Sequence, residues 1–341
     1  MSSRTASIAL LWVVLMGCSE STETSSSSGG PPSRDISKYP EPLQRMIGQG
    51  IALLQQDRAQ DAIVVFEKAA KQFSDLGISH HFVAMAYSQI DEVNRALEAW
   101  DRALALGYDT AELRHGYARA LRVLKRFEPA LEQIDLALAF APDDLEYLYW
   151  KGFTLSKLQR HAEAARIFEQ LVARAPKRFR GWMQLGRARL DLFEEDAALD
   201  AFRRALAIEP GNEGARLEIA TILGRRGDWE GVLQVLEPPV RGGKTAAAEV
   251  HFRLSAAYRQ LGREQDAERQ AALHTQIRER NQQELRRQGE QRTIFLEAGK
   301  AALERRDYDR AIEEFERILI VSPDHEEAKK LLNRARRLRD G

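Results

Sequence analysis

The segment Phe179 to Asn212, FRGWMQLGRARLDLFEEDAALDAFRRALAIEPGN, decides how the rest of the chain is read. Within these 34 residues, Trp182, Leu185, Gly186, Ala198, Phe202, Ala205 and Pro210 stand at positions 4, 7, 8, 20, 24, 27 and 32. The same frame recurs upstream without a gap. Leu145–Arg178 carries Gly152, Ala164, Phe168 and Pro176, and Ala111–Asp144 carries Ala118, Ala130, Ile134, Ala137 and Pro142. Gly77–Thr110 has Ala84, Tyr87, Ala96, Trp100 and Ala103; Leu43–Leu76 has Gly50, Ala62, Phe66 and Ala69. The small residues at positions 8, 20 and 27 let helices approach closely, with Leu171 the exception, and the bulky residue at position 24 fills the gap between pairs. Pro142, Pro176 and Pro210 end the second helix of their units, since proline cannot continue it and restricts its predecessor.

Downstream the frame loosens. Glu213–Arg241 begins in register with Ala220 and Leu223, but Pro238-Pro239 is expected to cut its second helix short, followed by a loop at Arg241-Gly242-Gly243-Lys244. Ala248–Asn281 resumes with Leu254, Tyr258, Gly262 and Ala267, though Ala271 stands at position 24. Arg292–His325 matches again through Gly299, Ala311, Phe315, Ile318 and Pro323. These last two frames start 44 residues apart, and the surplus around Gln276–Gln291 is expected to lengthen one or both flanking helices. Ala328, Leu331, Leu332, Ala335 and Leu338 share one face of a final helix that covers the last apolar surface.

This pattern resembles the tetratricopeptide repeat (TPR), a helix–turn–helix unit of 34 residues. The resemblance implies an all-α superhelical solenoid of antiparallel helix pairs with a C-terminal capping helix. The expected organisation is five regular units over 39–212, three less regular units over 213–325, and the cap at 326–341. It further implies a protein-binding role, with positions 2, 5, 9 and 12 of each first helix facing a concave groove. Projected onto this chain, those positions give His81, Met85, His115, Arg119, Arg122, Tyr149, Phe153, Arg180, Met183 and Arg187. Arginine and aromatic side chains are frequent interface anchors, and guanidinium suits carboxylates.

Composition agrees with a helical binding array and argues against several other classes. The 341 residues include 51 basic and 51 acidic side chains, so no global field favours nucleic acid. The seven histidines form no metal-ligand pair. Gly243-Lys244-Thr245 lacks the first glycine of a phosphate loop, Pro238 standing in its place. No catalytic residues, cofactor, metal or small-molecule substrate are expected, and the chain reads as a non-enzyme.

The N-terminus has its own logic. Arg4 precedes the apolar run Ile8–Met16, too short for a permanent span of about 20 residues but suited to a signal peptide over 1–17. Leu15-Met16-Gly17-Cys18 resembles the lipobox of bacterial lipoproteins, with Met16 departing from the usual small or β-branched residue. The resemblance implies acylation of Cys18, the single cysteine; an ordinary signal peptide with an incidental cysteine is the plainer alternative. Ser19 after the cysteine implies an outer-membrane destination facing the periplasm. The Ser/Gly/Pro tract over 18–38 reads as a disordered tether, spanning about 25 Å as a random coil. A membrane-tethered scaffold or adaptor for envelope assembly is thus the leading expectation, with an accessory or regulatory subunit of an envelope enzyme as the alternative.

Overall fold

The computed structural model describes residues 36–241 and 247–340, and no strand occurs among them. The signal-peptide and Cys18 readings, and the loop reading beyond Arg241, therefore lie outside the described residues; of the expected tether only its end is described, where Ile36–Lys38 form one 3-10 turn. The chain divides between Pro210 and Gly211 into two compact units.

The N-terminal unit is a succession of antiparallel pairs. Helix α1 (Glu41–Gln55) pairs with α2 (Ala59–Gln72), α3 (Gly77–Gln89) with α4 (Val93–Ala105), and α5 (Ala111–Val123) with α6 (Phe127–Phe140). Helices α7 (Leu145–Lys157) and α8 (His161–Arg174), then α9 (Phe179–Asp191) and α10 (Glu195–Ile208), complete it. Each first helix from α3 to α9 begins at position 1 of the sequence frame and ends at position 13. Position 34 then serves as the next N-cap: Thr110 Oγ1 accepts from the Leu113 amide at 3.1 Å, and Asp144 Oδ1 from Glu146 at 2.8 Å. Such caps satisfy amides that a helix start leaves without partners.

Within a pair, size is traded between positions 8 and 24. Phe66, Phe168 and Phe202 are fully buried, and a Cβ on Gly152 would stand only 2.8 Å from the Phe168 ring. The bulk of Leu171 at position 27, unusual in the frame, is absorbed by the next unit. A Cβ on Gly181 would meet Val172 Cγ1 at 3.1 Å and Leu171 Cδ2 at 3.4 Å, so the missing side chain makes the room. Position 15, in the turn between paired helices, is left-handed throughout the array. Asp57, Asp91, Lys125, Gln159, Phe193 and Arg306 hold φ of 58° to 62° there, and only Gly227 and Gly262 supply the residue that suits it.

Between pairs, positions 3 and 10 of a first helix meet the second helix of the unit before. Ser79, Leu113, Tyr147 and Val250 at position 3, and Ala86, Ala120, Thr154, Ala188 and Ala257 at position 10, are all no more than 7% exposed. No second helix precedes the first unit among the described residues, and its position 3 is the exposed Arg45.

The C-terminal unit holds α11 (Glu213–Arg225), α12 (Trp229–Arg241), α13 (Ala248–Gln260), α14 (Glu264–Glu304), α15 (Tyr308–Val321) and α16 (Glu326–Asp340). Two expectations change here. Helix α12 is not cut short at Pro238-Pro239 but runs on to Arg241. Pro239 has no N–H for the Val235 carbonyl four residues earlier; Arg216 on α11 supplies the donor instead, its Nη1 lying 2.6 Å from that oxygen. The surplus around Gln276–Gln291 does not merely lengthen two helices. It joins the second helix of one repeat to the first helix of the next as α14, 41 residues long and about 60 Å from end to end. Helix α13 packs on its first part, α15 on its last, and residues 278–287 between them are all exposed. The last part of α14 with α15 and α16 encloses its own core of Ala302, Ala311, Ile312, Phe315, Ile318, Ala328, Leu332 and Ala335.

Candidate partner-binding face

Side chains that bridge consecutive first helices define one continuous face in the N-terminal unit. Arg119 on α5 donates through Nη2 to Ser88 Oγ on α3 at 2.8 Å. Further along α5, the Arg122 guanidinium lies over the Trp150 ring of α7, 3.9 Å from its centroid. Arg178 and Arg180, at the start of α9, stand 5.7 and 5.6 Å from the Tyr149 ring centroid. Tyr149, Trp150 and Phe153 form the aromatic centre, with Trp150 edge-on to both neighbours at 5.1 and 5.5 Å. Lys157 Nζ sits 5.2 Å from the Phe153 ring. A cation over an aromatic face is held by the ring quadrupole, about 0.5–2 kcal/mol depending on desolvation.

The charges on this face do not balance locally. Arg178 is paired with Glu146, which also accepts from Trp150 Nε1 at 2.7 Å. Arg119, Arg122 and Arg180 have no carboxylate partner among the described residues. Elsewhere arginines are commonly matched: Arg114 to Asp109, Arg160 to Glu163, Arg189 to Glu169 and Glu194. Burial, reinforced by Arg119, pushes Arg122 down to about 10 against the opposing pull of Glu146 and Tyr149. Arg119 keeps an exposed side chain, yet the protein around its guanidinium displaces enough water to lower its pKa, with Asp91 opposing. On this face, Arg122 Nη1 is buried without a hydrogen-bond partner.

The expected contact residues separate into a floor and a rim. His81, Tyr149 and Met183, expected to face the groove, are buried. His81 is enclosed by the Phe82 and Tyr108 rings at 5.5 and 5.3 Å; Tyr149 is covered by its aromatic neighbours and by Phe168. Met85, His115, Arg122 and Phe153 are half-buried, and Arg119, Arg180 and Arg187 are exposed. His115 packs 5.0 Å from the Tyr147 ring, and burial, then Arg122 and Arg119, lower it to about 3. Burial lowers His81 to about 4, opposed by Glu112. Both rings are therefore neutral near pH 7. The groove frame missed Trp150 and Arg178, at positions 6 and 34; the aromatic run Tyr147–Phe153 was the signal for the first.

The tetratricopeptide-repeat family model matches residues 84–144, 154–213 and 296–338. These segments are similar to tetratricopeptide repeats. A TPR protein from Parabacteroides merdae superposes with a TM-score of 0.52 at 14% identity, covering 86% of this chain and 98% of its own. The C-terminal part of a TPR protein from Cytophaga hutchinsonii gives 0.52 at 14% identity, covering 84% and 99%. The type IV pilus biogenesis factor PilW gives 0.52 at 17% identity, covering 59% and 93%. At such identities the likeness concerns the fold. No curated protein sequence matches the chain. Among the described residues, no cluster of three or more His, Cys, Asp or Glu is placed to hold a metal. No helix among them is long and apolar enough to cross a membrane.

Proposed function

We propose that this chain is a membrane-tethered scaffold that captures a protein or peptide on the first-helix face of repeats two to five. The observation that carries the reading is the set of arginines without carboxylate partners, Arg119, Arg122 and Arg180, ranged around the Tyr149–Trp150–Phe153 centre. Arg122 is already partly desolvated in the folded chain, Trp150 and Tyr149 lie beside Arg122 and Arg180, and Ser88 holds Arg119. A partner carboxylate therefore gains a charge-assisted hydrogen bond without ordering a flexible side chain. The lipobox reading of Cys18 supports a leash to the cell envelope, with assembly of an envelope complex as the process served. PilW, a pilus biogenesis factor of similar fold, is in keeping with such a role.

A photo-crosslinking residue at Phe153 in the full chain, used in intact cells, tests the face. The expected result is a discrete adduct that disappears when Arg119, Arg122 and Arg180 are changed to Glu, with helicity and thermal unfolding unchanged. An adduct that persists in that variant would sink the reading. Cys18→Ala tests the leash separately: the protein should leave the membrane fraction, and full retention there would refute the anchor.

A further inference from the structure

The last repeat carries a stacking face that nothing in the described structure covers. Its first helix is the final part of α14, where Ile294 stands at position 3 and Ala301 at position 10. Those positions are buried wherever a preceding second helix packs on them, as at Leu113 with Ala120 and at Val250 with Ala257. Here the preceding second helix is the same rod, running straight on, so it cannot fold back. Ile294 is consequently 63% exposed. The first repeat, before which no second helix lies among the described residues, carries the polar Arg45 at position 3. Ile294 is instead a residue suited to an internal seam.

We propose that a second copy of this chain covers this face, α14 pairing with α14 about a two-fold axis. A preceding second helix runs antiparallel to the first helix it covers, and a perpendicular two-fold sets a second α14 in that same direction. Residues 290, 294, 298, 301 and 305 recur every three or four residues and share one side of the rod. In a register that places Ile294 against Ala301 of the second copy, Glu290 falls opposite Arg305 of the second copy, and the reverse pair repeats the match. Both residues are exposed and neither has an ion-pair partner among the described residues. The small side chains of Ala298 and Ala301 permit the close approach of about 8 Å between axes seen where helices pack on alanine. Residues 278–287, bare on every side, keep α13 clear of the incoming copy.

Analytical ultracentrifugation of the full chain carrying Cys18→Ser, across the micromolar range, decides the matter. The expected mass is twice the monomer. Ile294→Glu should give monomer with unchanged helicity, because the side chain is already solvated in one copy. Glu290→Arg or Arg305→Glu alone should weaken the dimer about tenfold by setting like charges opposite, and the two together should restore it. Ile320→Glu, on an exposed residue of α15 outside this stripe, should leave the dimer intact. A monomer at every concentration, or a dimer indifferent to Ile294→Glu and to both charge reversals, would overturn the proposal.

Discussion

At the scale of single residues, the array pays attention to conformation where its composition does not. Phe193 combines a left-handed φ of 61° with a side chain 91% exposed, so neither backbone nor packing favours phenylalanine there. Phe193→Gly should stabilise the protein by about 0.5–1 kcal/mol, the relief of strain exceeding the added unfolded-state entropy, read as a higher urea midpoint at constant slope. His81 makes a prediction about acid. Its folded pKa, about 4, lies below the ordinary 6.5, so the unfolded chain takes up the proton first. Its contribution is fully present above pH 6.5 and is lost as pH falls towards 4, roughly 3 kcal/mol over that window. His81→Phe should flatten this part of the stability–pH curve relative to wild type. Equal slopes for the two proteins would show that other groups carry the acid sensitivity.

At the scale of elements, helix boundaries follow partners as much as local sequence. The 34-residue period was legible because each marked position answers a local contact: Gly152 under Phe168, Ala205 at a seam, Asp144 as a cap. Leu171 broke the pattern legibly, yet its remedy at Gly181 belongs to another unit. The persistence of α12 through Pro238 was not legible, because the donor that replaces the missing amide comes from Arg216, 19 residues away on α11. The candidate binding face was legible as a set of positions but not as a surface. Position counting cannot say that Tyr149 is roofed by its neighbours or that Trp150, outside the frame, receives Arg122. Arg216→Met keeps much of the stem's packing and removes the donor to Val235, and should cost about 1–3 kcal/mol. Hydrogen exchange should then accelerate first at the end of α12; uniform loss across α11 and α12 would point to packing instead.

At the scale of the whole molecule, the C-terminal unit holds two bodies joined by one helix. Residues 278–287 lack any cover, and they include Arg278, Arg280, Arg286 and Arg287. Limited trypsin digestion should therefore cut within this stretch before it cuts elsewhere in 247–340, leaving a C-terminal fragment that retains α15 and α16. Cleavage appearing first inside α15 or α16 would contradict the picture. A shared helix also ties two geometric quantities together. Deleting seven residues from the bare stretch draws the final hairpin in by about 10 Å and turns it by only about 20°, whereas deleting two moves it about 3 Å and turns it by about 160°. Distance and bearing along α14 are one variable, counted in residues. The rod is a ruler whose every mark is also a compass point, so the number of residues between the two bodies sets both how far the last repeat reaches and which way it faces.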